Sequence, residues 1–160
     1  MQHDILKLLP YKSSFLFVDN ILSVDDYGVT GEFTLRPDAF FYEDHFVNNP
    51  VTPGVIITEI MAQIGLVVLG IHLMINNGAY PSESQAFPLL TATDVEFFKM
   101  VLPGEKVRVV SEKQFFRWGK LKCRVQMIND TGEIVAKGIF SGIVSNGMKD
   151  PGIKSHESRL

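Results

Sequence analysis

The chain has 160 residues, enough for one domain with its own hydrophobic core. Hydrophobic residues make up 46% and charged residues 21%, a globular composition that excludes a wholly disordered chain. The net charge is −3 without a basic block, which argues against binding to nucleic acid or anionic lipid. Cys123 is the only cysteine, so neither an intrachain disulfide nor a cysteine zinc cluster is expected. Because the first residues are too polar and short for a secretory signal, we expect a soluble cytoplasmic protein.

The first third of the chain predicts a short helix, two strands and a loop. An amphipathic helical turn is expected at 5–10. Residues 15–22 are rich in strand formers and lead into turn residues at 25–28. Apolar and polar residues alternate over 29–35, which predicts a second strand. Residues 37–52 have no period and contain two prolines, which indicates a loop.

A long helix is predicted after this loop. Thr52 suits the N-cap, Pro53 suits the first helical position, and the Asn-Asn-Gly sequence at 76–78 favours a helix end. The stretch 55–75 is long and apolar enough to cross a membrane. It contains Glu59, however, and no cluster of Lys or Arg flanks it. We therefore expect a buried core helix rather than a membrane span.

Four further strands complete the predicted domain. They are expected at 89–98, 106–116, 121–128 and 134–144. Turn sequences between the last three predict antiparallel hairpins. One antiparallel sheet over one helix is an α+β architecture, and a helix face that the sheet leaves uncovered favours a dimer. We expect the domain to cover 1–145 and the polar residues 146–160 to form a disordered tail.

Three features around the helix start indicate chemistry. His45 lies in an aromatic loop and is a candidate base, although its position alone favours a structural histidine bonded to a loop carbonyl. Glu59 in an apolar helix must be protonated, paired or facing a polar cavity; Gln63, one turn later, can hold it. The alternative is that Glu59 and Gln63 form a structural pair at a subunit interface.

The N–H groups of Gly54 and Val55 suit a developing negative charge on a carbonyl oxygen. Together the three features predict proton removal beside a carbonyl with departure of a β-substituent.

Residues 45–63 read HFVNNPVTPGVIITEIMAQ. This segment resembles the active-site segment of the β-hydroxyacyl-acyl-carrier-protein dehydratases of the FabA/FabZ type. The family pattern is His-Phe-Pro, a spaced proline, a Pro-Gly pair and an acidic residue ahead of Met-Ala-Gln. The resemblance extends over about 5–144 through the segments at 9–19 and 95–105. Three positions depart from the pattern: Asp44 replaces a glycine, Val47 a proline and Tyr11 a histidine.

The resemblance implies a hot-dog fold, in which a curved antiparallel sheet wraps around one long central helix. It implies dimers, sometimes assembled as trimers of dimers, whose active sites take residues from both subunits. His45 would remove the α-proton of a (3R)-hydroxyacyl thioester on acyl carrier protein. Glu59 of the partner chain would protonate the departing β-hydroxyl. A glutamate at this position resembles the FabZ branch, which dehydrates without isomerisation.

The family pattern also implies supporting roles around these two groups. The Gly54 N–H would polarise the thioester carbonyl, and the Val51 carbonyl would accept the second ring N–H of the histidine. Gln63 would orient the carboxyl group. Phe46 and Val55 are expected in the substrate-binding site, and no metal or organic cofactor is expected.

Two other functions remain open at this point. Hot-dog proteins also include acyl thioesterases, which need a carboxylate to position water and do not need His45. A non-catalytic acyl-binding subunit of a synthase complex belongs to a different class of protein. The presence of both His45 and Glu59, together with Pro53-Gly54, favours the dehydratase.

Overall fold

The computed structural model describes residues 2–80 and 86–146. The elements follow one another in the order that the sequence predicts. They are α1 (Gln2–Leu8), β1 (Asn20–Val24), β2 (Gly28–Thr34), the central helix α2 (Gly54–Asn76), β3 (Ala86–Phe97), β4 (Lys106–Arg117), β5 (Lys120–Asn129) and β6 (Ile134–Asn146). The four C-terminal strands agree with prediction to within about three residues at each end. Part of the predicted tail, from residue 147 onward, lies outside the described residues.

The six strands form one antiparallel sheet in the order β1-β2-β4-β5-β6-β3. The sheet curves around α2, which confirms the predicted hot-dog fold. Alternating side chains of β5 are buried beneath the helix: Leu121, Cys123, Val125 and Met127. The concave face of the sheet and the helix therefore share one hydrophobic core.

Small residues allow the central helix to lie close to the sheet. A Cβ atom at Gly31 of β2 would lie 2.8 Å from Cγ2 of Ile64, and one at Gly142 of β6 would lie 2.6 Å from Cδ2 of Leu66. Both distances are shorter than van der Waals contact. Glycine is therefore the residue that fits where the strands cross beneath the helix.

The central helix is the core helix that the sequence predicts. It is long and apolar enough to cross a membrane, but 72% of its most hydrophobic window is buried inside the domain. Ile60, Met61 and Ile64 have no exposed surface. The apolar character on nearly every face of the helix is explained by the sheet that surrounds it.

The first strand was predicted at 15–22 and this prediction is wrong in its position. Ser13–Phe15 forms a single 3-10 turn, and β1 begins only at Asn20. The side chains of Phe17 and Val18 are buried, as strand formers would be. The Phe17 N–H, however, donates to the side chain of Gln63 on the central helix and not to a neighbouring strand.

The predicted start of the central helix is also wrong in one detail. The helix begins at Gly54 with Pro53 at the N-cap, where no side chain caps the backbone. The Thr52 hydroxyl forms a buried hydrogen bond of 2.5 Å with the hydroxyl of Tyr42 instead. The Thr52 N–H donates to the carbonyl of Val101. Thr52 thus fastens the preceding loop to the core and does not cap the helix.

Candidate active site

Gln63 connects the central helix to the segment before β1. Its side-chain Oε1 accepts a hydrogen bond from the Phe17 N–H (2.8 Å). Its Nε2 donates to the carbonyl of Phe15 (2.9 Å) and to Oε1 of Glu59 (2.9 Å). Gln63 has no exposed surface, so these bonds replace all contact with water. The amide is therefore fixed in orientation, and it holds the Glu59 carboxyl group in place.

The central helix widens to a π-helical turn at Gln63–Val68, directly after the turn that carries Glu59. On the sheet side of this turn, the Ser111 hydroxyl donates to the carbonyl of Gly65 (2.7 Å). A Cβ atom at Gly65 would lie only 2.8 Å from the side chain of Val125. Widened turns of this kind are frequent at functional sites.

Glu59 lies where the helix borders an elongated apolar cavity. The cavity has a volume of about 90 Å³ and extends along the helix from Glu59 to Met74. Burial raises the pKa of Glu59, and the hydrogen bond from Gln63 offsets part of that rise. A carboxyl group with a raised pKa keeps its proton at a higher pH than a solvated one, which suits a general acid.

His45 lies on the loop before the central helix. Its Nδ1 is 2.8 Å from the carbonyl oxygen of Val51, the contact that the family resemblance implied. Because a carbonyl oxygen can only accept, Nδ1 carries a proton, so in the neutral imidazole it is Nε2 that has the free lone pair. The Phe46 ring stacks on the imidazole with centroids 3.9 Å apart, and it is half exposed. The geometry gives His45 the tautomer of a base.

The start of the central helix presents backbone N–H groups close to this loop. The first helix amides with a backbone acceptor are those of Ile56 and Ile57, which both bond to the Pro53 carbonyl. The amides of Gly54 and Val55 precede them and have no acceptor inside the helix. A Cβ atom at Gly54 would lie 3.4 Å from the Phe97 ring of β3, and the side chain of Val55 is 76% exposed. The helix start is therefore adjacent to the edge strand of the sheet.

Within one chain the two candidate catalytic groups do not meet. No hydrogen bond or ion pair joins His45 to Glu59, although both belong to the described residues. His45 also does not line the apolar cavity that Glu59 borders. One pair of histidine and carboxylate within 4 Å does occur among the described residues, at His72 and Asp26.

Sequence reasoning did not assign Tyr11 to the site. The structure has Tyr11 in the wall of the same cavity as Glu59. Burial is the main cause of a raised pKa at Tyr11, and the nearby charge of Glu59 adds to it. The available signal was the departure from the family pattern, because Tyr11 stands where the pattern has a histidine.

Comparisons with known proteins show the family of this chain. A model of the FabA-like domain matches residues 9–139. The 3-hydroxyacyl-[acyl-carrier-protein] dehydratase FabZ of Acetivibrio thermocellus is 31% identical over 137 residues, which cover 84% of this chain and 88% of that protein. The FabZ dehydratase of Acinetobacter baylyi is 32% identical over 143 residues, which cover 84% of this chain and 94% of that protein.

Solved structures with low sequence identity show the same fold. The dehydratase heterocomplex ApeI:P from Xenorhabdus doucetiae matches with a TM-score of 0.73 at 15% identity, over 92% of this chain and 93% of that one. A thioesterase from Haemophilus influenzae matches with a TM-score of 0.64 at 10% identity, over 94% of each chain. The fold is thus common to both chemistries, and the sequence matches distinguish them. The chain belongs to the FabA-like family and, within it, to the FabZ-type dehydratases.

Proposed function

We propose that this protein dehydrates (3R)-hydroxyacyl thioesters on acyl carrier protein to trans-2-enoyl thioesters. The reaction would serve fatty acid or related lipid biosynthesis in the cytoplasm. The FabZ relatives support the substrate class and the reaction. The single observation that carries the mechanism is Glu59, a carboxyl group held by Gln63 at the wall of an apolar cavity, with its pKa raised by burial.

His45 and Glu59 divide the proton transfers of this reaction. Nε2 of His45 takes the proton from the α-carbon, and the electron pair of that C–H bond forms the α–β double bond. The β-carbon–oxygen bond breaks, and the oxygen takes the Glu59 proton and leaves as water. His45 is then protonated and Glu59 ionised. Exchange of one proton with solvent at each group restores the starting state.

Neighbouring groups would hold the thioester and the base. The Val51 carbonyl fixes the tautomer of His45, so that Nε2 faces the substrate. The free amides of Gly54 and Val55 would donate to the thioester carbonyl oxygen as negative charge develops on it. Phe46, stacked on the imidazole, would cover the same end of the substrate.

A second copy of this chain would complete the site. β3 pairs only with β6 among the described strands, so its outer edge of 12 residues offers unpaired backbone groups. Leu90 and Phe97 of this strand are both nearly half exposed. Pairing of two β3 edges would cover these side chains and seat the partner beside Gly54. A homodimer with shared sites, alone or as a trimer of dimers, explains why His45 and Glu59 do not meet within one chain.

An acyl thioesterase is the second candidate, because the Haemophilus influenzae thioesterase shares this fold and the fold alone does not fix the reaction. A thioesterase would release free thiol and would not require the imidazole of His45. The dehydratase would release water and keep the thioester intact. The two reactions thus differ in their products.

The test is to incubate the purified protein with a (3R)-hydroxyacyl thioester of acyl carrier protein and measure both products. We expect the ultraviolet absorbance of the enoyl thioester to rise without release of thiol. His45→Ala and Glu59→Gln should each lower the rate by at least about 100-fold. Release of thiol without enoyl product, or rates unchanged in both variants, would contradict the proposal.

A further inference from the structure

The cavity wall is formed mostly by apolar side chains. Among the described residues that line it, the side chains that carry oxygen are Glu59, Tyr11 and Tyr80. Tyr80 lies beyond the other end of the central helix, and its N–H bonds to the carbonyl of Met74. Glu59 and Met74 are 15 residues apart, or about 22 Å along a helix. Tyr11 is thus the polar cavity residue that shares the Glu59 end.

The segment that carries Tyr11 is fixed to the same helix turn as Glu59. The Tyr11 ring packs near the Phe15 ring, with centroids 6.3 Å apart. The Phe15 carbonyl and the Phe17 N–H are both bound by the side chain of Gln63, which also holds Glu59. Tyr11 and Glu59 therefore keep a fixed relation to each other through one buried amide.

Tyr11 and Glu59 line the same cavity and are not hydrogen-bonded to each other. The charge of Glu59 contributes to the raised pKa of Tyr11, which keeps the phenol protonated and able to donate. No hydrogen bond joins the two side chains within the described structure. Both side chains line the same cavity, so their oxygens are available to a polar group of a ligand that enters it.

We infer that the Tyr11 hydroxyl binds the β-oxygen of the substrate between itself and Glu59, and so selects 3-hydroxyacyl chains over chains without that hydroxyl. This inference rests on the proposed dehydratase function and adds a positioning residue to it. Donation from Tyr11 to the β-oxygen directs that oxygen toward the Glu59 proton. After the carbon–oxygen bond breaks, the same two groups hold the water that is formed.

The test compares two probes that differ by one hydroxyl, the pantetheine thioesters of (3R)-3-hydroxyhexanoate and of hexanoate. Their dissociation constants are measured by calorimetry in the His45→Ala protein, in which we expect the hydroxyacyl probe to be consumed at least about 100-fold more slowly. We expect Tyr11→Phe to reduce the preference for the hydroxyacyl probe about five- to tenfold, because one hydrogen bond is lost. A merely structural role would weaken both probes and leave their ratio unchanged.

Tyr80→Phe is the matched control, since it removes the same hydroxyl at the far end of the same cavity and should leave the ratio unchanged. An unchanged ratio in Tyr11→Phe, or an equal reduction in Tyr80→Phe, would overturn the inference. If Tyr11→Phe does not fold, Tyr11→Met gives the same comparison with the same two outcomes. A lost preference without enoyl formation by the wild type would support the role of Tyr11 and contradict the dehydratase proposal. Enoyl formation by the wild type, together with an unchanged ratio in Tyr11→Phe, would support the dehydratase proposal and contradict the role of Tyr11.

Discussion

Replacing Gln63 with leucine is expected to damage both the stability and the chemistry of the site. The substitution keeps a similar volume but removes an acceptor for the Phe17 N–H and a donor for the Phe15 carbonyl. Phe17 is buried, so its N–H loses its partner without gaining water. A buried group left unpaired costs about 1–3 kcal/mol, and the more exposed carbonyl costs less. We expect the free energy of unfolding to fall by about 2–4 kcal/mol.

The same substitution changes Glu59 in a direction that can be measured. Gln63 donates to the Glu59 carboxyl group and lowers its pKa, so removal of this bond raises the pKa further. The alkaline limb of the dehydration rate should therefore move to higher pH, while the rate itself falls because the carboxyl group is no longer oriented.

Urea unfolding and the pH profile of kcat/KM are the two assays for Gln63→Leu. Gln126→Leu on the outer face of β5 is the matched control, and it should change stability by less than about 0.5 kcal/mol. A loss below about 1 kcal/mol in Gln63→Leu, together with an unmoved alkaline limb, would refute the role assigned to this amide.

Further predictions concern the helix and its carboxyl group. Gly65→Ala should destabilise the protein by about 1–3 kcal/mol, because the new Cβ overlaps the buried side chain of Val125. Gly70→Ala, whose Cβ would meet its nearest atom at 3.7 Å, should instead stabilise by up to about 1 kcal/mol; equal effects in urea unfolding would contradict this. Glu59→Gln should gain stability relative to the wild type as the pH rises above about 4.5. Because the pKa of Glu59 is raised in the folded protein, the stabilisation by its bound proton is complete below about pH 4.5. It is lost as the pH rises through the pKa of the folded state. A pH-independent difference between the two proteins would rule this out.

The sequence alone predicts the architecture well because its signals are local. Alternation over 29–35 predicts a strand, turn residues separate the C-terminal strands, and the apolar run at 55–75 predicts the helix. The motif at 45–63 identifies the residues of the candidate site by resemblance. The motif is recognised from the order and spacing of its residues along the chain, which requires no knowledge of the tertiary structure.

The two wrong predictions occur where a hydrogen bond joins residues that are far apart in the sequence. Threonine is a residue type that is preferred at the N-cap, but the hydroxyl of Thr52 binds Tyr42, ten residues earlier in the chain. Residues 15–18 have strand propensity, but the side chain of Gln63, more than 45 residues away, binds their backbone. Propensity describes neighbours in sequence and contains no information about such distant partners. For the same reason the cavity wall at Tyr11 was not predicted.

The most direct measurement of the central claim is complementation between two inactive variants. If each site takes His45 from one chain and Glu59 from the other, a mixed dimer of His45→Ala and Glu59→Gln contains one intact site. Random exchange of equal amounts makes half of the dimers mixed, with one of two sites intact in each, which restores about a quarter of the wild-type dehydration rate. Mixed dimers that form, as shown by affinity tags on the two variants, and yet have no dehydration activity would contradict the shared site.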